Sequence, residues 1–254
     1  MKHIFIIIIS VLLFLPLSCA TKESRINSGQ ASDDALAYYN RGLAYYNKGQ
    51  YDRAIEDYNK AIAINPNDAK AYGNRGIVYG KKGQYDKAIE DFNKAIAINP
   101  NDALAYYNRG NTYYNKGQYD KAFEDFNKAI ALNPNLAWNY NNRGFIYGMK
   151  GQYDRAIEDF NKAIAINPND ALAYYNRGNT YYNKGQYDKA IEDYNKAIAI
   201  SPNDAKAYYV RGLAYENILI IKGSMENAIS DFRKACDMGI EDGCKGLQRG
   251  LKKR

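Results

Sequence analysis

The chain has 254 residues, 26 of them Tyr, and a single histidine, His3, at the extreme N-terminus, so whatever the rest of the chain does it does without imidazole chemistry. The formal charge of +7 invites a nucleic-acid partner. Without Lys2 and the five basic residues of the last ten, KGLQRGLKKR, however, 29 basic residues face 28 acidic ones; a basic tail is more often solubilising or membrane-seeking than phosphate-reading, which argues against nucleic acid.

Residues 1–20, MKHIFIIIISVLLFLPLSCA, set a basic start before an apolar run from Ile4 to Leu17. That run is too short to span a bilayer and has the flanks of a secretory signal, so export is expected. Cys19 after the apolar core resembles the acylated cysteine of bacterial lipoproteins, with Ser18 fitting that pattern and Pro16 departing from it; the rival is ordinary cleavage after Ala20. Residues 21–34 are polar and read as a flexible tether.

From Ala35 the sequence repeats every 34 residues, in units 35–68, 69–102, 103–136, 137–170, 171–204 and 205–238. The third unit shows the pattern. A first helix follows Asp102, whose carboxylate can cap it, and stops at Gly117. A second runs from about Tyr119 to Leu132, with Tyr119, Ala122, Phe123, Phe126, Ala129 and Ile130 at helical spacing, and Pro134 bars continuation. A pair of short helices cannot bury its faces alone, so neighbouring pairs must stack.

The period, the small residues Gly110, Ala122 and Ala129, the aromatics Tyr106, Tyr113 and Phe126, and Pro134 together resemble the tetratricopeptide repeat family. The resemblance implies an all-α, right-handed solenoid of helix-turn-helix pairs. The sixth unit carries four extra residues between Tyr215 and Gly223, and its end, KACDMGIEDGCKGLQ, resembles Sel1-like cysteine-rich repeats. Residues 239–254 are expected to form a capping helix with a basic tail. Cys236 and Cys244 would lie about 12 Å apart on one helix, beyond the roughly 7 Å reach of a disulfide. A turn at Gly239 would let them pair, leaving Cys19 odd; two reduced, buried thiols are the alternative.

Each unit has an arginine followed sixteen residues later by an aspartate, twenty in the sixth: Arg41 and Asp57, Arg75 and Asp91, Arg109 and Asp125, Arg143 and Asp159, Arg177 and Asp193, Arg211 and Asp231. Structural ion pairing between antiparallel helices is the expected role, with an anion clamp as the rival. The family resemblance implies that the first helices line a concave groove. Asn40, Asn74, Asn108, Asn142 and Asn176 would then form a carboxamide ladder similar to that of protein O-GlcNAc transferases, suited to an extended peptide backbone, unless they are simply retained consensus. Asn111, Asn179, Tyr39, Tyr175 and Tyr182 join them as groove candidates. The lysine and arginine of the co-chaperone carboxylate clamp are missing from the corresponding positions.

Tyrosine doublets recur in AYYNRGNTYYNKGQYDKA, residues 105–122 and again 173–190. Neighbours on a helix diverge by about 100°, so the two rings of a doublet face differently. Tyr106 and Tyr113 are expected to be mostly buried between helices, and Tyr107 and Tyr114 to line the groove. Gly73, Gly80 and Gly148 alternate with tyrosine at groove positions, either for close approach of another backbone or as a relic of duplication. No phosphate-cradling glycine loop and no histidine or cysteine metal cluster stands in the repeats, so neither enzyme nor cofactor is expected. The reading is an exported envelope scaffold, anchored through Cys19, that binds a protein or extended peptide. Its rivals are a glycan-binding subunit of an envelope enzyme and a passive spacer.

Overall fold

The structure, a computed structural model, describes residues 17–218 and 224–253, with side chains from Ala31 on. Residues 1–16 of the expected signal segment 1–20, and the side chain of Cys19, lie outside the described residues. Among the described residues there are thirteen helices and no strand. They pair as α1 (Leu17–Asn47) with α2 (Tyr51–Ile64), α3 (Ala69–Lys81) with α4 (Tyr85–Ile98), α5 (Ala103–Asn115) with α6 (Tyr119–Leu132), α7 (Ala137–Met149) with α8 (Tyr153–Ile166), α9 (Ala171–Asn183) with α10 (Tyr187–Ile200), and α11 (Ala205–Asn217) with α12 (Ser224–Asp237). The last, α13 (Glu241–Lys253), packs on α12 and α11. The backbone of 21–34 is not the tether that its polarity suggests: α1 runs through it unbroken. That stretch holds no proline, and Lys22, Glu23, Arg25, Gln30 and Ala31 extend a helix at little cost.

Local chemistry sets the punctuation. At Gly117 the backbone turns to φ +77°, and the N–H groups of Gly117 and Gln118 close on the carbonyls of Tyr114 and Tyr113, ending α5. Asp68, Asp102, Asp170 and Asp204 cap the following helices by accepting from backbone N–H groups two residues on. Of the first helices α3, α5, α7, α9 and α11, α7 alone has no such cap, because Leu136 stands at its start.

Within each repeat the fully buried aromatic of the second helix (Tyr58, Phe92, Phe126, Phe160, Tyr194 or Phe232) lies against a glycine of the first. A Cβ at Gly110 would sit 2.9 Å from Phe126 Cε1, closer than packed carbons approach, so the helix pair depends on glycine there. Two of the six aromatics are tyrosines with different fates. The Tyr194 hydroxyl donates to Asn179 Oδ1 at 2.7 Å, whereas the equivalent neighbour of Tyr58 is Leu43 and its hydroxyl is buried without a partner. Replacing Tyr58 by phenylalanine is therefore expected to raise stability by about 1 kcal/mol and the same change at Tyr194 to lower it by a similar amount, which urea unfolding of the two variants would resolve.

At the C-terminal end Gly239, at φ +90°, reverses the chain, and Cys236 and Cys244 form a disulfide with Cα atoms 4.6 Å apart. Closing so short a loop contributes about 2–3 kcal/mol in the chain-entropy account. Gly243, Gly246 and Gly250 let α13 lie directly on Ala235, Phe232 and Ile229. The basic tail is not wholly free: Arg249 and Lys253 both bond Glu216 of α11, at 3.2 and 2.9 Å. Burial raises the Glu216 carboxyl, but these two bonds outweigh it and hold the group below its ordinary value. Their contribution is present above the usual glutamate range and is lost as pH falls through the depressed value.

Candidate interaction groove

The arginines act as clips. Arg109 donates through Nε and Nη2 to both carboxylate oxygens of Asp125, at 2.8 and 2.7 Å, and through Nη1 to Asn93 Oδ1, at 2.7 Å, on the second helix of the preceding repeat. Arg75 joins Asp91 and Asn59 in the same way, Arg143 joins Asp159 and Asn127, Arg177 joins Asp193 and Asn161, and Arg211 joins Asp231 and Asn195. Arg41 grips Asp57 but has no repeat before it and is 52% exposed. Burial pushes Asp91, Asp159, Asp193 and Asp231 up from the ordinary carboxylate value and the guanidinium opposes the shift; Asp57, bonded to Arg41, lies below it. With all three nitrogens of each inner guanidinium engaged, the arginines hold the stack together rather than clamp an anion. Pairs such as Lys150 with Asp120, at 2.6 Å, and Lys116 with Asp86 also tie successive repeats, but they are exposed and contribute little.

The arginines also explain the first tyrosine of each doublet. Tyr106 and Tyr113 sit three residues before and four after Arg109, on its helix face, with the guanidinium carbon 5.5 and 5.9 Å from the ring centroids. Both are partly buried flanks of the clip, and Tyr113 also packs against the buried Ala122, Phe126 and Ile146, the packing role that the repeat pattern suggests. The second tyrosines carry more of the packing than expected: Tyr107 lies on Phe126 and Tyr114 on Tyr119, with centroids 6.2 and 5.4 Å apart. Tyr39 and Tyr175 repeat the first contact on Tyr58 and Tyr194, and Tyr182 repeats the second on Tyr187. Their outer edges reach the next repeat, where Tyr107 meets Trp138 and Tyr114 meets Phe145. Burial raises the Tyr114 and Tyr182 phenols, so both stay neutral across the physiological range.

Successive first helices touch one another, α1 with α3, α3 with α5, α7 with α9 and α9 with α11. No two second helices come into comparable contact among the described residues, so the first helices form the inner, concave layer. The asparagines there bond between repeats: Asn74 Nδ2 donates to the Tyr39 hydroxyl at 2.8 Å, Asn142 Nδ2 to Asn111 Oδ1 at 2.7 Å, and Asn176 Nδ2 to Asn141 Oδ1 at 3.1 Å. Asn179 accepts from Tyr194, and Tyr182 accepts from Asn217. Asn40 is exposed, and the Asn108 carboxamide has no protein partner among the described residues.

Two adjoining cavities open on this face, of about 390 and 290 Å³, sharing Phe145 and Asn176. The glycines do not mark a close backbone approach: a Cβ would meet nothing within 4 Å at Gly73 or Gly80, and at Gly148 only Thr180 Oγ1, at 3.9 Å. Gly148 instead leaves open space in the wall of the larger cavity. Trp138, Asn141, Phe145, Met149, Leu172 and Leu213 belong to the groove region, although no residue pattern singles them out. The available signal is departure from the repeat: the fourth unit reads LAWNYNNRGFIYGM where its neighbours read DALAYYNRGNTYYN. No cluster of acidic, histidine or cysteine side chains is placed to hold a metal ion, and no helix is long and apolar enough to cross a membrane, among the described residues.

Models of the tetratricopeptide repeat match residues 42–83, 81–117, 149–185 and 178–218, and further models of the same repeat match 103–136 and 126–158. No curated protein matches the chain. Among solved structures, the protein MamA is 31% identical over 68% of this chain and 95% of its own, with a TM-score of 0.60. YrrB, described as a TPR protein with an unusual peptide-binding site, is 28% identical over 76% of this chain and 97% of its own, at 0.59. PilF of Pseudomonas aeruginosa, 20% identical over 90% of this chain and 100% of its own, at 0.75, shares the fold.

Proposed function

Because the chain belongs to the tetratricopeptide repeat family, whose members serve generally as non-catalytic scaffolds for protein interaction, we propose that it binds an extended peptide or protein segment along the concave layer of α5, α7, α9 and α11. The observation that carries this reading is the groove itself: two adjoining cavities lined by carboxamides and aromatic or aliphatic side chains, on the face built by the first helices. The similarity to YrrB, a TPR protein described as having an unusual peptide-binding site, supports it. We further propose, from the signal-like residues 1–20, that the chain is exported and held at a membrane of the cell envelope through an acylated Cys19.

The test uses groove residues that the core does not need. Trp138 is 47% exposed, and Leu172 is exposed on the same face, so Trp138→Ala and Leu172→Ala should leave the fold intact. Tyr107→Ala and Tyr114→Ala would strip packing from Phe126 and Tyr119 and confuse binding with stability. Affinity capture from detergent-solubilised envelope should return a stoichiometric protein lost from both variants. Retention of glycan without protein would favour a sugar-binding subunit, and retention of neither a passive spacer. Mass measurement of the mature N-terminus checks the anchor, since an unacylated peptide beginning at Thr21 would exclude it.

A further inference from the structure

The two cavities share a wall, and both combine carboxamides with aromatic or aliphatic side chains. In the smaller, Asn142 Nδ2 is committed to Asn111 and Asn176 Nδ2 to Asn141. That leaves the Asn111 and Asn141 amide nitrogens and the Asn142 and Asn176 amide oxygens without a protein partner among the described residues. The larger has Asn176, Asn179, Thr180 and Asn183 in its wall too, but the open position at Gly148 lies among Phe145, Met149, Tyr182, Val210 and Leu213 of the same cavity. No residue lining either cavity is charged, although 25% of the chain is Asp, Glu, Lys or Arg.

Resting on the peptide-groove reading above, we propose that the partner segment is uncharged where it crosses α7 and α9, with an Asn or Gln side chain in the smaller cavity and a large apolar side chain over Gly148. A carboxylate offers only acceptors and an ammonium only donors, so either would leave half of the free carboxamide atoms unmatched, and would give up hydration with no counter-charge in reach. A primary amide carries both functions and matches donors and acceptors together. In an extended segment, side chains two residues apart point to the same face, roughly 6.5–7 Å apart, which suits adjoining cavities with a common wall. The recognition element is thus amide, any residue, large apolar.

Trp138, the one tryptophan of the chain, lies 5.6 Å from Tyr107 beside this site and reports on it by fluorescence. The probes are N-acetylated, C-amidated octapeptide pools of neutral residues carrying Gln-x-Leu at the centre, and matched pools with Glu, with Lys, or with Ala for Leu, titrated into the full-length protein. The Gln-x-Leu pool should bind at least about tenfold tighter than the others, with less than about a twofold change between low and high salt because no ion pairs are screened. Gly148→Leu, which fills the larger cavity at a position that accepts a side chain, should lower that affinity about tenfold or more while leaving thermal unfolding unchanged or raised. Equal or tighter binding of the Glu or Lys pool, or indifference to Gly148→Leu, would overturn the assignment while the peptide groove stands. Silence from every pool would remove the groove reading with it.

Discussion

Replacing Arg143 by alanine should cost about 3–5 kcal/mol of unfolding free energy, the range expected when one partner of a buried ion pair is removed. The carboxylate of Asp159, buried in the pair, loses two bonds, and Asn127 loses the bond that joins the third repeat to the fourth. In a stack where each unit touches only its neighbours, a central loss also severs cooperativity between the halves, so urea unfolding should broaden or split. Burial already raises Asp159, and without the guanidinium it rises further. A group raised in the folded state favours folding most when protonated, so the deficit of the variant should be full near neutrality and shrink as pH falls toward the unfolded aspartate value of about 3.9. The same change at Arg41 should cost clearly less, since that side chain is half exposed and has no Asn before it. Equal costs at the two positions would show that the bond to the preceding repeat contributes nothing.

Asn139→Ala should act in the opposite direction, raising stability by about 1–3 kcal/mol. Asn139 is fully buried, and neither its amide nitrogen nor its amide oxygen has a partner. The other five repeats hold alanine at this position, Ala37, Ala71, Ala105, Ala173 and Ala207, so the site accepts a methyl group without rearrangement. In a chain of this size the gain corresponds to roughly 2–4 °C in Tm per kcal/mol, measurable by calorimetry on the two proteins. A fall in stability would mean that the carboxamide does work in the fold that its surroundings do not reveal.

Both effects fall on the fourth repeat, which also starts α7 without a side-chain cap at Leu136 and carries Trp138, Phe145, Gly148 and Met149. The repeat with the most distinctive groove side chains is therefore the one whose own helix is least well supported. Residues selected for a surface are free of the constraints that keep the other units alike, and local stability is what such a site gives up.

Helix positions, their ends and the stacking of pairs were legible from residues 35–218 because they depend on neighbours a few residues away. Asp102 caps the next helix, Gly117 ends it, and a face of alanines and one aromatic must be covered whatever the global shape. The Arg109 to Asp125 spacing was legible for the same reason, since an antiparallel pair of known length brings fixed positions together. The division of the tyrosine doublets was legible only in part: Tyr113 packs on the core and Tyr114 lines a cavity, but that Tyr106 and Tyr113 flank an arginine held by two different helices, and that Tyr107 and Tyr114 reach Trp138 and Phe145 of the next unit, was not. Nor were the cavities, the asparagine bonds between repeats, or the empty space beside Gly148. Those features depend on how far each repeat is rotated against the last. That rotation is set by the summed packing of whole helices and is written in no single spacing, so the sequence determined the unit and its count, and only the tertiary structure decided what the units present to a partner.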